Sequence, residues 1–209
     1  MKEVIKEACV ESIKQAIKVQ KLGATRLELV TRWVDGGLTP SEHLIKQVLQ
    51  NVCIPIRVMI RPRSGDFLYS DSELKCIAAG IESCKKIGVD GVVFGILKAD
   101  KTLDLEAISK FAKLAFPLKV VIHKAIDETP DILIALKQLL QIPEISTVLT
   151  SGGKLNAREG ADMLKKMMTL VGDRIEIMAQ GDISPANFDH LHKTINASAY
   201  HGKYIVGGI

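Results

Sequence analysis

The chain has 209 residues, a formal net charge of +4, and 47% hydrophobic and 25% charged residues, which suits one domain with a full core. Only 4% of residues are aromatic, and Lys and Arg are scattered, so neither the basic stripe nor the stacking platform of a nucleic-acid binder is present. No apolar run approaches the ~18 residues of a membrane span, and the charged start "MKEVIKEACVES" is unlike a signal peptide.

A short apolar strand followed by a capped amphipathic helix recurs along the chain. The first predicted strand is Val4 to Cys9; Ser12 caps the next helix and Gly23 stops it. The second strand is Arg26 to Val30. In "TPSE" the pattern predicts Thr39 as N-cap, Pro40 at the first helical position and Glu42 closing a capping box. The third strand is Ile56 to Arg61, and Ser70 with Glu73 repeats the capping box for a helix ending at Gly88. Strand four is Gly91 to Gly95, with a helix over Leu105 to Ala115. Strand five is Lys119 to His123, with Thr129-Pro130 opening its helix. Strand six is Thr147 to Thr150, followed by "SGGKLN" and a helix to Val171. Strand seven is Arg174 to Met178, with Ser184-Pro185 opening a helix, and strand eight is Ala197 to Tyr200.

Eight strands alternating with helices, and no linker among them, predict a single α/β domain over residues 1–209. Eight parallel strands close a (β/α)8 TIM-type barrel. The other architecture with this pattern is a doubly wound open sheet, whose GxGxxG fingerprint is absent. Only nine residues follow Tyr200, so the barrel is expected to lack its last outer helix. Apolar strand surface left open there would need cover, and a second copy in a homodimer or higher homo-oligomer would supply it.

Side chains alternate along a strand. With Leu27 and Leu29 facing the helices, Glu28 and Val30 face the barrel interior. The same count turns Arg57, Met59 and Arg61 inward, then His123, then Glu7 and Cys9. Glu7, Glu28, Arg61 and His123 thus converge near strand C-termini, where (β/α)8 catalytic groups sit. Arg61 is expected to meet the carboxylates, with Arg63 and Asp66 on the loop above. Asp127, four residues after His123, is either a further rim carboxylate or a polar group of its loop. Ser151, Gly152 and Gly153 precede a helix N-terminus, a place where backbone N–H groups hold anions. Buried charges need partners, so a Glu–Arg–Glu cluster also reads as a structural plug with His123 beside it. His201, just after the eighth strand, is placed to join the rim but reads more readily as a surface histidine, and Met163, Met167 and Met168 read as core.

"EACVES" (Glu7 to Ser12), "RLELV" with "GGLTPS", "MIRPRSGDF" (Met59 to Phe67), "YSDSEL", "GVVFGIL", "IHKAID", "LTSGG" and "IMAQGDI" together resemble the copper-homeostasis CutC family over nearly the whole length. The resemblance implies a (β/α)8 barrel associated with copper handling in the cytosol. Members of that family often carry a second cysteine at the end of the second strand, and a pair with Cys9 would suit Cu(I). That position is Val30 here, leaving Cys9 as the lone thiol of the pair. The family's "HRAFD" is "HKAID", so Lys124 keeps the charge without the planar fork of arginine.

Two uses of the rim follow. One is copper binding through Cys9, with His123 and Met59 near. The other is a metal-independent enzyme, a lyase, isomerase or hydrolase, acting on a small anionic molecule. Arg61 and Arg63 would clamp that molecule, Glu28 or His123 would move a proton, and Glu7 and Asp127 would orient them. A barrel whose site has decayed is the third reading. The four cysteines, Cys9, Cys53, Cys76 and Cys84, have no CxxC spacing and read as reduced thiols of a cytoplasmic protein.

Overall fold

The computed structural model describes residues 4–208. Its strands, in chain order, are β1 (Ile5–Val10), β2 (Arg26–Leu29), β3 (Ile56–Met59), β4 (Gly91–Phe94), β5 (Lys119–Ile122), β6 (Ile145–Thr150), β7 (Glu176–Gln180) and β8 (Ala199–Gly202). All pair in parallel with their sequence neighbours, and β8 pairs with β1, closing the barrel. The helices between them are α1 (Ile13–Lys21), α2 (Glu42–Asn51), α3 (Asp71–Ile87), α4 (Leu105–Ala115), α5 (Ile132–Leu139), α6 (Ala161–Val171) and α7 (Phe188–Ile195). This is the (β/α)8 barrel that the periodicity predicts, with no helix after β8 among the described residues.

The apolar residues divide into two bodies, as strand alternation requires. Outward positions such as Leu27, Leu29, Val58, Val92 and Ile122 pack against the inner faces of the helices. Inward positions form a small axial cluster of Cys9, Val30, Met59, Val93, Val121, Leu149, Met178 and Ala199. The capping box at Ser70 forms as expected: its hydroxyl accepts from the Glu73 N–H, and the Glu73 carboxylate accepts from the Ser70 N–H at 2.8 Å.

Several boundaries differ. The N-cap of α2 is Ser41, whose Oγ accepts from Leu44 N–H. Thr39 is taken elsewhere: its backbone and hydroxyl bridge both backbone groups of Arg61, at 2.8 to 3.1 Å. Asp131 caps α5, after a 3-10 turn over Lys124–Glu128. Asn187, with Ser184 one turn before it, opens α7. Strand β7 starts at Glu176 rather than Arg174, and β8 runs on to Gly202.

The side of the barrel without a helix is closed by the chain itself. Tyr200 points outward from β8 and is fully buried. Its ring meets Phe188 and His192 edge-on, and its hydroxyl bonds Ala197 N and His192 Nδ1 at 3.0 Å each. Ile205, in the turn after β8, is buried, and Val206 packs onto the core. Among the described residues, this side of β8 is thus covered by Phe188, His192, Ile205 and Val206 of the same chain.

Candidate functional site

The lower interior of the barrel is filled with charge. Glu7 on β1 is fully buried and forms an ion pair with Arg26, its register partner on β2. Arg26 also reaches Glu176 on β7 at 2.8 Å. Arg57 on β3 lies 3.7 Å from both Glu7 and Glu176 and donates to Thr147 Oγ1 at 3.2 Å. This is the plug anticipated for a Glu–Arg cluster, with different arginines. Burial alone would push the Glu7 carboxyl up. The Arg26 charge, the His201 hydrogen bond and the Arg57 charge outweigh it and hold the pKa at about 2.

Arg61 does not meet these carboxylates, contrary to the expectation. It lies two residues beyond the end of β3, four residues and so roughly 13 Å of chain past Arg57. Its guanidinium donates to the carbonyls of Asp35 (3.2 Å) and Gly65 (2.7 Å) and stacks on the ring of Phe67 at 4.8 Å.

Above the plug sit Cys9, Glu28 and His201. Cys9 and Glu28 are register partners on β1 and β2, and His201 on β8 is the register partner of Glu7. One ligand atom from each of the three lies within 4.8 Å of the others, and all three residues are buried. His201 Nδ1 is 3.0 Å from Glu7, and Nε2 is 3.5 Å from Glu28. Burial opposes the imidazolium, but the two carboxylates outweigh it and raise the His201 pKa. Burial, and then the negative charge of Glu28, push the Cys9 thiol well up. Burial raises the Glu28 carboxyl too, despite the opposing charge of His201. His201 is the residue that sequence reasoning missed. Ending strand eight at Tyr200 left it in a loop, whereas two further residues of strand turn it inward.

The cluster forms the floor of a cavity of about 440 Å³ whose walls include Met59, Arg61, Phe67, His123, Lys124 and Gln180. His123 Nδ1 accepts the Ala125 N–H at 3.1 Å, so the ring proton is on Nε2, which has no protein partner among the described residues. Burial, and next the nearby Arg61 charge, lower the His123 pKa to about 3. The ring is held neutral, with Nδ1 occupied and an Nε2–H left to donate.

The remaining expected site residues turn elsewhere. Arg63 is engaged by Glu73 (2.6 Å) and Asp66 (2.8 Å) on the outer side of its loop. Asp127 receives the Thr150 hydroxyl and the N–H groups of Ser151 (3.0 Å) and Gly153 (2.8 Å). Gly152 N–H goes to Thr150 Oγ1 at 2.9 Å. The anion held by the "SGG" turn is thus the protein's own carboxylate, and none of these three residues borders the cavity.

The model of the CutC family matches residues 4–206. The chain belongs to the CutC family. It is 39% identical over 195 residues to the copper homeostasis protein cutC homolog of Mus musculus, covering 93% of this chain and 71% of that one. A CutC family protein of Mesorhizobium japonicum is 38% identical over 93% of this chain and 75% of its own length. A crystal structure of a CutC protein from Streptococcus agalactiae superposes with a TM-score of 0.91 at 29% identity, covering 97% of this chain and 99% of that one. Two of these relatives carry copper homeostasis in their names, which directs attention to the Cys9–Glu28–His201 cluster among the described residues.

In this CutC chain Val30 stands beside Cys9 in the axial cluster and offers no donor. The imidazole of His201 is the second soft-to-intermediate ligand within reach. Glu7 accepts at Nδ1, which leaves Nε2 on the side of Cys9 and Glu28. A carboxylate behind a histidine is the usual way to fix the tautomer of a ligating imidazole. The cluster offers a metal ion one sulfur, one imidazole nitrogen and one carboxylate oxygen.

Proposed function

We propose that this CutC-family protein handles copper in the cytoplasm by holding one Cu(I) ion between Cys9 and His201. The observation that carries the reading is the buried Cys9–Glu28–His201 cluster, whose ligand atoms lie within 4.8 Å of one another. Thiolate and neutral imidazole both suit Cu(I), so the ion must displace the Cys9 proton, and that of His201 Nε2 where the ring is charged, against the raised pKa of each group. Glu28 is positioned to accept the proton that the thiol gives up, and Glu7 orients His201 from behind. The carboxylate at Glu28 keeps the site from being a purely soft cage, which suits an ion that must also leave. A cytoplasmic setting agrees with four free cysteines, of which Cys53 and Cys76 are exposed. No helix in the described residues is long and apolar enough to cross a membrane.

X-ray absorption of protein loaded with one equivalent of Cu(I) under reducing conditions tests the assignment. The expected first shell holds one sulfur and one imidazole nitrogen, and the sulfur contribution disappears in Cys9→Ser. A shell of oxygen alone, or one with sulfur intact in Cys9→Ser, would place copper elsewhere.

A further inference from the structure

The cavity above the cluster is larger than an ion requires, and its wall holds a cation without a counter-ion. Arg61 is only 6% exposed. No carboxylate lies within 4 Å of it among the described residues, although Arg26, Arg57 and Arg63 each have one. The acids on its flanking loops are spoken for: Asp35 pairs with Arg32, and Asp66 with Arg63. Its Nη atoms donate to two carbonyls, the Tyr69 hydroxyl lies beside the guanidinium, and its buried Nε–H has no partner among the described residues. Burying a guanidinium against neutral groups alone is costly, and an anion in the cavity would offset that cost.

A second donor stands beside it. His123 packs on the same Phe67 ring as Arg61, with ring centroids 4.7 Å apart. Its Nδ1 is used by Ala125 N–H. Gly95 backs the Nδ1–Cε1 edge so closely that a Cβ there would sit 2.6 Å from both atoms. The ring borders the cavity, and its buried Nε2–H has no partner among the described residues. Arg61 is fixed from its other side by Gly36, at φ +85°, where a Cβ would meet Nη1 at 2.7 Å. Two glycines thus let the backbone press both donors into place.

We propose that this cavity binds a small monoanionic carboxylate that carries a second oxygen beside the carboxylate, with Arg61 holding the charge and His123 Nε2–H donating to the second oxygen. A single carboxylate matches one unpaired guanidinium. A dianionic phosphate would face Glu28 on the floor and Asp35 and Glu128 at the mouth, with Lys124 as the only further lysine or arginine on the wall. The neutral imidazole supplies a hydrogen bond without adding charge, as suits a carbonyl or hydroxyl oxygen. The site is formed by groups other than Cys9, Glu28 and His201 and does not rest on copper.

The test is calorimetric titration of metal-free protein with pyruvate, acetate and inorganic phosphate, together with ¹⁵N NMR of the histidine rings. Pyruvate is expected to bind saturably, more tightly than acetate or phosphate, and at least about tenfold more weakly in Arg61→Met, the loss of one charge-assisted contact. In the wild type, the His123 ring is expected to show the Nε2–H tautomer at neutral pH, and its Nε2 resonance to move on adding pyruvate. The NMR readout uses unaltered protein, so it stands even if Arg61→Met loosens the loops whose carbonyls Arg61 holds. Absence of binding by all three anions at millimolar concentration, a preference for phosphate, binding unchanged in a folded Arg61→Met, or a His123 ring that pyruvate leaves unmoved would each overturn the proposal.

Discussion

Glu7→Gln is the sharpest probe of the barrel plug. In the native state the Glu7 carboxyl titrates at about 2 against an ordinary 4.5. At ~1.4 kcal/mol per pH unit, the gap is worth about 3 kcal/mol to the folded state. A carboxyl held below its unfolded value contributes that stability in full above the unfolded pKa and loses it as pH falls through the folded one. The window therefore runs from about pH 5 down to pH 2, and somewhat less than half of the contribution is gone by about pH 3.5. Glu28 is shifted the other way, so its cost eases as pH falls. Glu7 also helps to raise the pKa of Glu28 and of His201, so the difference between the two proteins reports Glu7 together with its effect on these two neighbours. The variant also leaves Arg26 and Arg57 with less counter-charge, a loss of about 3 kcal/mol at neutral pH. The assay is urea unfolding followed by circular dichroism at pH 7, 5.5 and 3.5. Glu7→Gln is expected to be less stable at pH 7 and to lose less on acidification than the wild type. An acid dependence of the same size in both proteins would refute the linkage argument.

Other expectations concern separate parts of the molecule. Asp127→Ala removes the acceptor for Thr150, Ser151 and Gly153. It should cost about 3 kcal/mol and lower Tm by roughly 6–12 °C in thermal unfolding; a change within error would mean the turn holds itself. Gly95→Ala places a Cβ against the His123 ring. About 1–3 kcal/mol of destabilisation is expected, with a displaced ring ¹⁵N signal. Val30→Cys adds a thiol next to Cys9 in the axial cluster and should raise Cu(I) affinity roughly tenfold or more by supplying a second soft donor, as read by chelator competition. Unchanged affinity would place the ion away from β1 and β2.

The barrel was legible because each strand–helix unit carries its own local signals: caps at Ser12 and Ser70, a stop at Gly88, and alternation within strands. Parity alone put Cys9, Glu28, Met59 and His123 on the interior side, where they are found. Parity does not give height along the axis. Arg57 and Arg61 have the same parity, and only the tilt and stagger of neighbouring strands decide which one reaches Glu7. His201 was hidden by a two-residue error at the end of β8, where His and Gly carry no strong strand preference. The bond between Asp127 and the turn after β6 joins loops that share no local pattern, so two features that each looked like ligand sites satisfy one another. Thr39 and Ser41 are equally good caps in sequence; the neighbouring backbone of Arg61 claims Thr39.

The most direct test of the copper reading is Cu(I) titration against a competing chelator on the wild type, Cys9→Ser and His201→Gln. Stoichiometric binding in the wild type, weakened by at least about tenfold in each variant, is the expected result. Equal affinity across all three, or binding too weak to compete in the wild type, would contradict the assignment of the Cys9–Glu28–His201 cluster as the copper site.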